Sequence, residues 1–298
     1  MKRCSLSLLA LIVGLSAVRG QTAEEKKATI AYLRGLQTGD GGFMAAAPNP
    51  LSGSRDVPSL RATTGALRAL KYFGGEPRDK KACIKFVESC FDKKNGGFVD
   101  HQPTLKPDVI STALGLMAVV ELKMPVEKYV DASVKYLGEN AKTFEEIRLA
   151  AAGLEAVGKK PKQADAWLKE VSKMRNKDGS YGKGDGAARD TGSAVVTVLR
   201  LGVKVEERDQ VLKTIRSGQR ADGGYGKTDV KSSDLETCYR VIRALVMLKE
   251  KPADAVKCRA FVAKCRNADG GYGVAPGQKS SAAGTYFAAI ILHWLAEK

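Results

Sequence analysis

The sequence predicts an all-α protein, an α/α toroid in which six helical hairpins close into a ring with an inner and an outer layer of helices (an α6/α6 barrel). Two observations support this fold class. A short turn element built on Gly-Gly recurs along the chain, and a helix rich in Ala, Leu and Val follows each copy. Internal similarity at a fixed period of roughly 20–50 residues is typical of repeat architectures.

The turn element occurs in five clear copies. Its Asp/Asn-Gly-Gly part tolerates positive φ and so ends the preceding helix, and its aromatic residue is expected to pack back against the hairpin. The copies are 55, 83, 44 and 47 residues apart. The long gap is about two periods, and a degenerate copy, Gly138-Glu-Asn140, divides it into two, which gives six units. The clear copies are Asp40-Gly-Gly-Phe43, Asn95-Gly-Gly-Phe98, Asp178-Gly-Ser-Tyr181, Asp222-Gly-Gly-Tyr225 and Asp269-Gly-Gly-Tyr272.

Each unit combines one apolar helix with one charged helix. The apolar helix is expected in a covered inner layer and its charged partner in an exposed outer layer. No terminal unit carries the polar face that caps an open solenoid, so we expect a closed ring. The predicted inner helices are Ser59–Phe73, Asp108–Leu122, Phe144–Val157, Thr191–Leu201, Asp234–Leu248 and Ser281–Leu295. In five of them a threonine is expected at one shared register: Thr63, Thr112, Thr191, Thr237 and Thr285.

Residues 1–20 are predicted to be a secretory signal peptide, which leaves residues 21–298 as one toroid of six repeats. Two basic residues precede an apolar stretch (6–18), and small residues lie near Gly20, the expected cleavage site. The apolar stretch is shorter than the roughly 20 residues that span a membrane. We therefore expect an exported protein, periplasmic or extracellular, with no transmembrane span after cleavage. A retained N-terminal anchor is the alternative.

The chain is strongly basic. Removing residues 1–20 takes away three basic residues and no acidic one, so the formal charge falls from +16 to +13. Such a charge favours anionic partners, among them phosphates, acidic glycans and anionic lipid surfaces, although a solvated basic surface explains it equally well. Lys and Arg are scattered and not interleaved with aromatic residues, so no nucleic-acid partner is expected.

Five cysteines remain after the leader, at Cys83, Cys90, Cys238, Cys258 and Cys265. An odd number at irregular spacing does not form a disulfide framework. Two pairs are seven residues apart, which places their Cα atoms roughly 10 Å from each other on a helix, too far for a disulfide. These cysteines are expected to be small buried apolar residues.

The repeats resemble the prenyltransferase and squalene-oxidase repeat family across residues 22–298. The segments Gln37-Thr-Gly-Asp-Gly-Gly-Phe43 and Gln219-Arg-Ala-Asp-Gly-Gly-Tyr225 resemble its Gln-x-x-x-Gly-x-aromatic repeat. In detail the chain is most similar to the β subunits of protein prenyltransferases, the geranylgeranyl and farnesyl transferases. The resemblance implies the toroid fold, whereas activity has to be argued from the site.

The resemblance also implies site residues. In that family the fifth unit has two spaced cations that bind a prenyl diphosphate, followed by Asp-x-Cys-Tyr, whose Asp and Cys ligate zinc. Lys227 and Lys231 match the cations, and Tyr239 matches the tyrosine. In the third unit, the family's Asp-x-Arg resembles Glu146-Ile-Arg148, so Arg148 becomes a further candidate for an anion or diphosphate.

The implied metal site is degenerate. Cys238 matches the zinc-ligating cysteine, and Glu236 occupies the position of the aspartate. The family's histidine aligns with Gly284, and a catalytic zinc site needs three protein ligands and an open position. Zinc is therefore a cofactor that the resemblance suggests and that Glu236 and Cys238 alone would bind poorly.

Three functions remain open. The first is a non-catalytic scaffold that binds an anionic lipid, glycan or protein; the second is a prenyltransferase-like transferase acting on a prenyl diphosphate. The third is a polysaccharide-active toroid using Asp108, Asp190 and Asp234, although acids at helix starts are more often N-caps. A terpene cyclase is not favoured, because the Asp-x-Asp-Asp motif is missing and the Ala, Thr and Gly of the inner helices predict a narrow or polar cavity.

Overall fold

The computed structural model describes residues 21–48, 57–101 and 106–296, and the predicted leader lies outside them. Helices dominate these residues, and one short antiparallel pair joins β1 (Phe91–Asp92) to β2 (Gly97–Phe98). The inner helices are α2 (Leu60–Phe73), α4 (Val109–Glu121), α6 (Phe144–Ala156), α8 (Ala187–Arg200), α10 (Leu235–Met247) and α12 (Ala282–Ala296). The outer helices are α1 (Ala23–Gly35), α3 (Lys80–Ser89), α5 (Val130–Asn140), α7 (Ala164–Ser172), α9 (Arg208–Ser217) and α11 (Ala255–Lys264).

The inner helices form a closed ring. Each packs against the next, from α2 through α4, α6, α8 and α10 to α12, and α12 packs against α2. The outer layer closes as well, because the first outer helix covers the turn of the last repeat. Thr29 of α1 donates a hydrogen bond to the carbonyl of Gly270 at 2.8 Å. The predicted α/α toroid is confirmed, and the N-terminal helix takes the place that a capping repeat has in an open solenoid.

In two repeats a glutamine connects the turn to the following outer helix. The side chain of Gln37 donates to the carbonyls of Gly41 and Asp79 at 3.2 and 2.8 Å, and its oxygen accepts from the Asp79 N–H at 2.9 Å. Gln219 makes the same three contacts with Gly223 and Asp254. Since Asp79 and Asp254 are the N-caps of α3 and α11, the glutamine ties the turn to a helix start.

Four of the threonines at the shared register each form a buried hydrogen bond that joins an inner helix to its turn. Their hydroxyl oxygens accept the N–H of the turn aromatic, and these pairs are Thr63 with Phe43, Thr112 with Phe98, Thr191 with Tyr181 and Thr285 with Tyr272. In the fifth unit the prediction was wrong by one residue. The acceptor for the Tyr225 N–H is the sulfur of Cys238 at 3.2 Å, while Thr237 contacts the N-cap Asp234.

We expect Thr112→Val to lower the free energy of unfolding by about 1–3 kcal/mol, because the Phe98 N–H then stays buried without an acceptor. Thr112 is fully buried, so water cannot take over that role. Urea denaturation measures the change. Thr112→Ser keeps the oxygen and serves as the matched control; an equal loss in both variants would show that packing, and not the hydrogen bond, matters.

Two local predictions differ from the structure. The fourth inner helix starts at Ala187 and not at Thr191, because a 3-10 turn, Gly184–Gly186, leads directly into it. Gly138 and Asn140 lie within the last turn of α5 and do not form a separate turn. Gly138 nonetheless packs against Gln163 at the start of the next outer helix, as the turn glycines do elsewhere. Within the described ranges, no helix combines the length and apolar character that a membrane span requires.

Candidate functional site

The inside of the ring, which we call the lumen, is lined by charged and aromatic side chains of the inner helices. Arg240 of α10 reaches across to Glu145 of α6 at 2.7 Å, so side chains meet across the ring. Arg68 lies deep in the protein, yet 21% of its side-chain surface is accessible, so it borders open space. The lumen is polar, which is one of the two alternatives that the sequence predicts. It is lined by Arg, Glu and aromatic residues, however, and not by the expected Ala, Thr and Gly, because the threonines face the turns.

The first group of charges, the N-terminal cluster, lies near the starts of the inner helices. Glu145 bonds Arg148 at 2.7 Å and also bonds Arg240, whose side chain is only 8% exposed. Arg240 in turn binds Glu236 at 2.7 Å. Glu236 lies 3.8 Å from Arg189. The cluster consists of Arg148, Arg189, Lys227, Arg240, Glu145, Asp190 and Glu236.

Positive charge is in excess in this cluster, with four cations and three acids. Burial lowers the pKa of the Arg148 guanidinium, and the neighbouring Arg240 lowers it further. In Glu145 the neighbouring cations outweigh the effect of burial. Burial alone would raise the pKa of Glu145, but its hydrogen bond with Arg240 and the charge of Arg148 bring it down to about 2. A ligand that enters beside Arg148 therefore meets a positive field that the local carboxylates do not fully balance.

The second group, the C-terminal cluster, lies near the other ends of the inner helices. Glu155 of α6 binds Arg200 at 2.9 Å and Arg243 at 3.3 Å, and Glu121 of α4 lies 3.6 Å from Arg68. Glu121 also binds a lysine of α2 at 2.9 Å. The cluster consists of Arg68, Lys71, Arg200, Arg243, Glu121 and Glu155.

Aromatic side chains lie between the two clusters and along one wall. Tyr239 stacks on Trp294 with ring centroids 5.7 Å apart and contacts Phe287 at 5.3 Å. The Tyr286 hydroxyl donates to the Tyr239 hydroxyl at 3.5 Å. Arg68 lies over the Tyr286 ring, 4.9 Å from its centroid. The lumen thus offers an apolar aromatic wall beside each group of cations.

The structure brings three of the four candidate anion-binding residues to the lumen. Arg148 and Tyr239 lie within it, and Lys227 lies at its rim, 3.8 Å from Glu236. Lys231 is exposed on the loop before α10. The anion-binding role of these residues stays a prediction. The third-unit match is shifted, because Glu146 forms the capping box of α6 and Glu145 is the acid that bonds Arg148.

The candidate zinc residues have different surroundings. Glu236 is engaged by Arg240, Arg189 and Lys227. Cys238 is fully buried on another side of α10, and burial raises the pKa of its thiol well above the usual value. Its sulfur does what a threonine hydroxyl does in four other repeats. These two side chains do not fit a shared zinc ion, and the described residues contain no group of three or more His, Cys, Asp and Glu side chains that could hold one.

The remaining sequence expectations concern Gly284, the cysteines and three aspartates. A Cβ on Gly284 would lie 2.4 Å from the Tyr272 carbonyl oxygen, so this position has no room for the family's histidine. The five cysteines of the described residues are free and buried, as expected. Asp108 and Asp234 are helix N-caps, and Asp190 pairs with Arg189 in the first turn of α8. These contacts give no support to a polysaccharide-active site built on those aspartates.

The model of the prenyltransferase alpha-alpha toroid domain matches residues 4–146 and 128–298. The chain belongs to this family. None of the curated proteins matches the sequence.

Solved structures share the toroid fold at low sequence identity. Protein geranylgeranyltransferase-I of Candida albicans, in complex with GGPP, is 14% identical with a TM-score of 0.65, covering 78% of this chain and 83% of its own. Type II terpene cyclase MstE of Scytonema is 10% identical with a TM-score of 0.62, covering 92% and 96%. The ent-copalyl diphosphate synthase of Streptomyces platensis is 15% identical with a TM-score of 0.51, covering 92% and 67%. At these identities the likeness shows the fold alone.

Sequence reasoning missed most of the charges that line this toroid. A signal was present, since Arg240 and Arg243 interrupt the apolar part of α10 that follows Cys238, and at a spacing of one turn they lie on one face. The same spacing relates Arg148 to Glu145. What the sequence does not reveal is whether such a face points to the lumen or to the solvent. The other functional candidates that emerge only from the structure are Arg68, Glu121, Glu155, Arg189, Arg200, Tyr286 and Trp294.

Proposed function

We propose that this toroid is a binding protein that holds an anionic lipid in its lumen, with the anionic group beside Arg148. The observation that carries the proposal is the excess of cations around this deeply placed arginine. Its pKa is lowered by burial and by the neighbouring charge of Arg240. An anion there would offset the repulsion between the two guanidinium groups. Arg is also suited to bind carboxylate or phosphate oxygens through two parallel hydrogen bonds.

A lipid fits better than a glycan or a protein, because the aromatic wall continues directly from the cations. Tyr239 borders Trp294, Phe287 and Tyr286, and these rings offer apolar surface for a hydrocarbon chain. The similar structure from Candida albicans is in complex with GGPP, which has this amphipathic character. The proposal includes export through the leader predicted in residues 1–20, which the mass of the mature protein checks.

We expect geranylgeranyl diphosphate to bind the purified protein in calorimetry with a micromolar Kd, and uncharged geranylgeraniol to bind at least tenfold more weakly. Arg148→Gln should lower the affinity for the diphosphate by about tenfold or more, because it removes a charge-assisted hydrogen bond that is shielded from water. Lys213→Gln, on the exposed face of α9, removes one positive charge far from the lumen and is the matched control. Equal binding of the diphosphate and the alcohol would refute the proposal.

A prenyltransferase-like transferase is the second candidate, and the fold likeness together with the positions of Lys227 and Tyr239 supports it. The two candidates differ in their need for metal. Added zinc is expected to leave the binding of geranylgeranyl diphosphate unchanged in the wild type and in Cys238→Thr, which restores the residue type of the other repeats. Zinc-dependent binding that Cys238→Thr abolishes would favour the transferase instead.

A further inference from the structure

Three arginines of the C-terminal cluster surround the same part of the lumen. Arg68, Arg200 and Arg243 come from α2, α8 and α10. Arg200 and Arg243 bind the same carboxylate oxygen of Glu155, which brings their guanidinium groups close together. Arg68 joins them through the aromatic wall, because it lies over Tyr286, whose hydroxyl bonds Tyr239. Cations from three helices therefore face one region.

The local acids do not balance this positive charge. Glu155 serves both Arg200 and Arg243, and Glu121 serves both Arg68 and an exposed lysine, so two carboxylates face four cations. The Arg200 side chain is only 7% exposed. A buried guanidinium loses its hydration, and an unbalanced group of them is unfavourable unless another anion is present.

Hydrogen-bonding capacity in the cluster is also unused. The Nε–H of Arg243 is buried and has no hydrogen-bond partner among the residues that the structure describes, while the face of the same guanidinium lies 5.3 Å from the Trp294 ring. Guanidinium groups present five N–H donors in a planar fork. A group with two or more oxygens could accept from several of these forks at once.

The pKa of Tyr239 indicates that the electrostatic potential beside the three arginines is positive. Burial alone would raise the pKa of its phenol, but the positive charges of Arg68 and Arg200, the hydrogen bond from Tyr286 and the charge of Arg243 together bring it below the ordinary value. The other groups that act on this phenol are Tyr286 of α12 and Arg148 of α6, while Glu155 of α6 is the counter-ion of Arg200 and Arg243. A field that favours a phenolate also favours an oxyanion at the same place.

We propose that Arg68, Arg200 and Arg243 form an oxyanion site in the C-terminal half of the lumen, which takes a carboxylate, sulfate or phosphate group. Trp294 and Tyr239 are the aromatic walls of this site. Its cations differ from those of the proposed lipid site beside Arg148, although the two sites share the aromatic wall of Tyr239 and Trp294. The three arginines can therefore bind a small inorganic anion in the absence of geranylgeranyl diphosphate, and the test uses such anions alone.

The test compares inorganic phosphate, sulfate and acetate with chloride at constant ionic strength. In thermal denaturation, phosphate and sulfate should raise the Tm of the purified protein saturably, because a ligand that binds only the folded state stabilises it. In an ultraviolet pH titration they should also move the phenolate signal of Tyr239 to higher pH, since the bound anion offsets the arginines. Tyr239→Phe identifies that signal by removing it. Acetate acting alone would assign the site to carboxylates.

Arg200→Gln and Arg243→Gln should each weaken anion binding by at least tenfold, whereas Lys213→Gln should not change it. Arg243→Lys keeps the positive charge but loses the planar fork, so its affinity for the anions should lie between those of the wild type and Arg243→Gln. If the glutamine variants fail to fold, the titration of Tyr239 in the wild-type protein, with and without the anions, still tests the proposal. The proposal would be overturned if phosphate, sulfate and acetate all act no differently from chloride, or if the anions act equally on Arg243→Gln and Lys213→Gln.

Discussion

Gly223→Ala is expected to unfold this toroid or to lower its Tm by about 10 °C or more, a large effect for one added methyl group. Gly223 has φ +90°, and a Cβ there would lie 2.2 Å from the carbonyl oxygen of Lys257. The residue must therefore leave its turn conformation or push the backbone of α11 away. Either response costs more than the strain of a positive φ, which is about 1–3 kcal/mol.

Gly74 provides the matched control. It caps α2 with φ +80°, and within the described part of the chain no atom that could collide lies within 4 Å of the position that its Cβ would take. Gly74→Ala therefore introduces the backbone strain without the collision, and a loss of about 1–2 kcal/mol is expected. Thermal and urea denaturation of both variants separate the two contributions. A similar loss in the two variants would contradict the argument from close approach.

The collision at Gly223 is with backbone atoms, and this leads to a second check. Shortening the Lys257 side chain cannot make room, so the double variant Gly223→Ala, Lys257→Ala should be as unstable as the single one. The same approach recurs where Gly41 meets Ala82 and where Gly270 meets Ala28 of the N-terminal helix. Gly270→Ala should accordingly loosen the closure of the ring. Recovery of stability in the double variant would mean that the added methyl group collides with the Lys257 side chain and not with the backbone.

The fold followed from the sequence because its determinants are local. The first glycine of every clear turn copy has a positive φ, which other residues adopt only with strain. The side-chain N-caps Ser59, Asp108 and Asp234 lie where the inner helices were predicted to begin. The start of α8 was misplaced for the same reason. Its N-cap, Gly186, makes no side-chain hydrogen bond, so no capping residue marks the start.

The site was harder to predict, because a polar residue on a helix can face the solvent or the lumen. The resemblance singled out Arg148 and Tyr239, and both lie in the lumen. Arg200 could not be assigned in this way, since its counter-ion Glu155 lies 45 residues away. Cys238 shows the opposite difficulty. It matches a zinc ligand in sequence, yet its sulfur accepts the Tyr225 N–H, and this contact is visible only in the three-dimensional structure.

Glu145→Gln should strengthen the binding of an anion in the N-terminal cluster while it weakens the fold. The carboxylate of Glu145 bonds both Arg148 and Arg240, so its removal leaves two guanidinium groups without this shared counter-ion. We expect geranylgeranyl diphosphate to bind about tenfold more tightly, which corresponds to about 1.4 kcal/mol. Weaker or unchanged binding would show that the anion does not approach Arg148.

The free energy of unfolding of Glu145→Gln should depend less on pH in the acid range than that of the wild type. The pKa of Glu145 in the folded protein is about 2, below its value in the unfolded chain of about 4.3. A lowered pKa stabilises the folded state above the unfolded value, and this contribution is lost as the pH falls from about 4.3 to about 2. Since the amide introduced by Glu145→Gln does not titrate, the loss of stability over that interval should be smaller in the variant.

The control for this prediction is Glu139→Gln on α5. Glu139 lies 4.0 Å from Lys135, and its side chain is mostly exposed, so this pair contributes little in water. The control should leave both the affinity for geranylgeranyl diphosphate and the acid dependence of the urea midpoint close to those of the wild type. Because Glu145→Gln is expected to raise affinity and lower stability together, a nonspecific loss of structure cannot imitate it: damage to the fold would lower both.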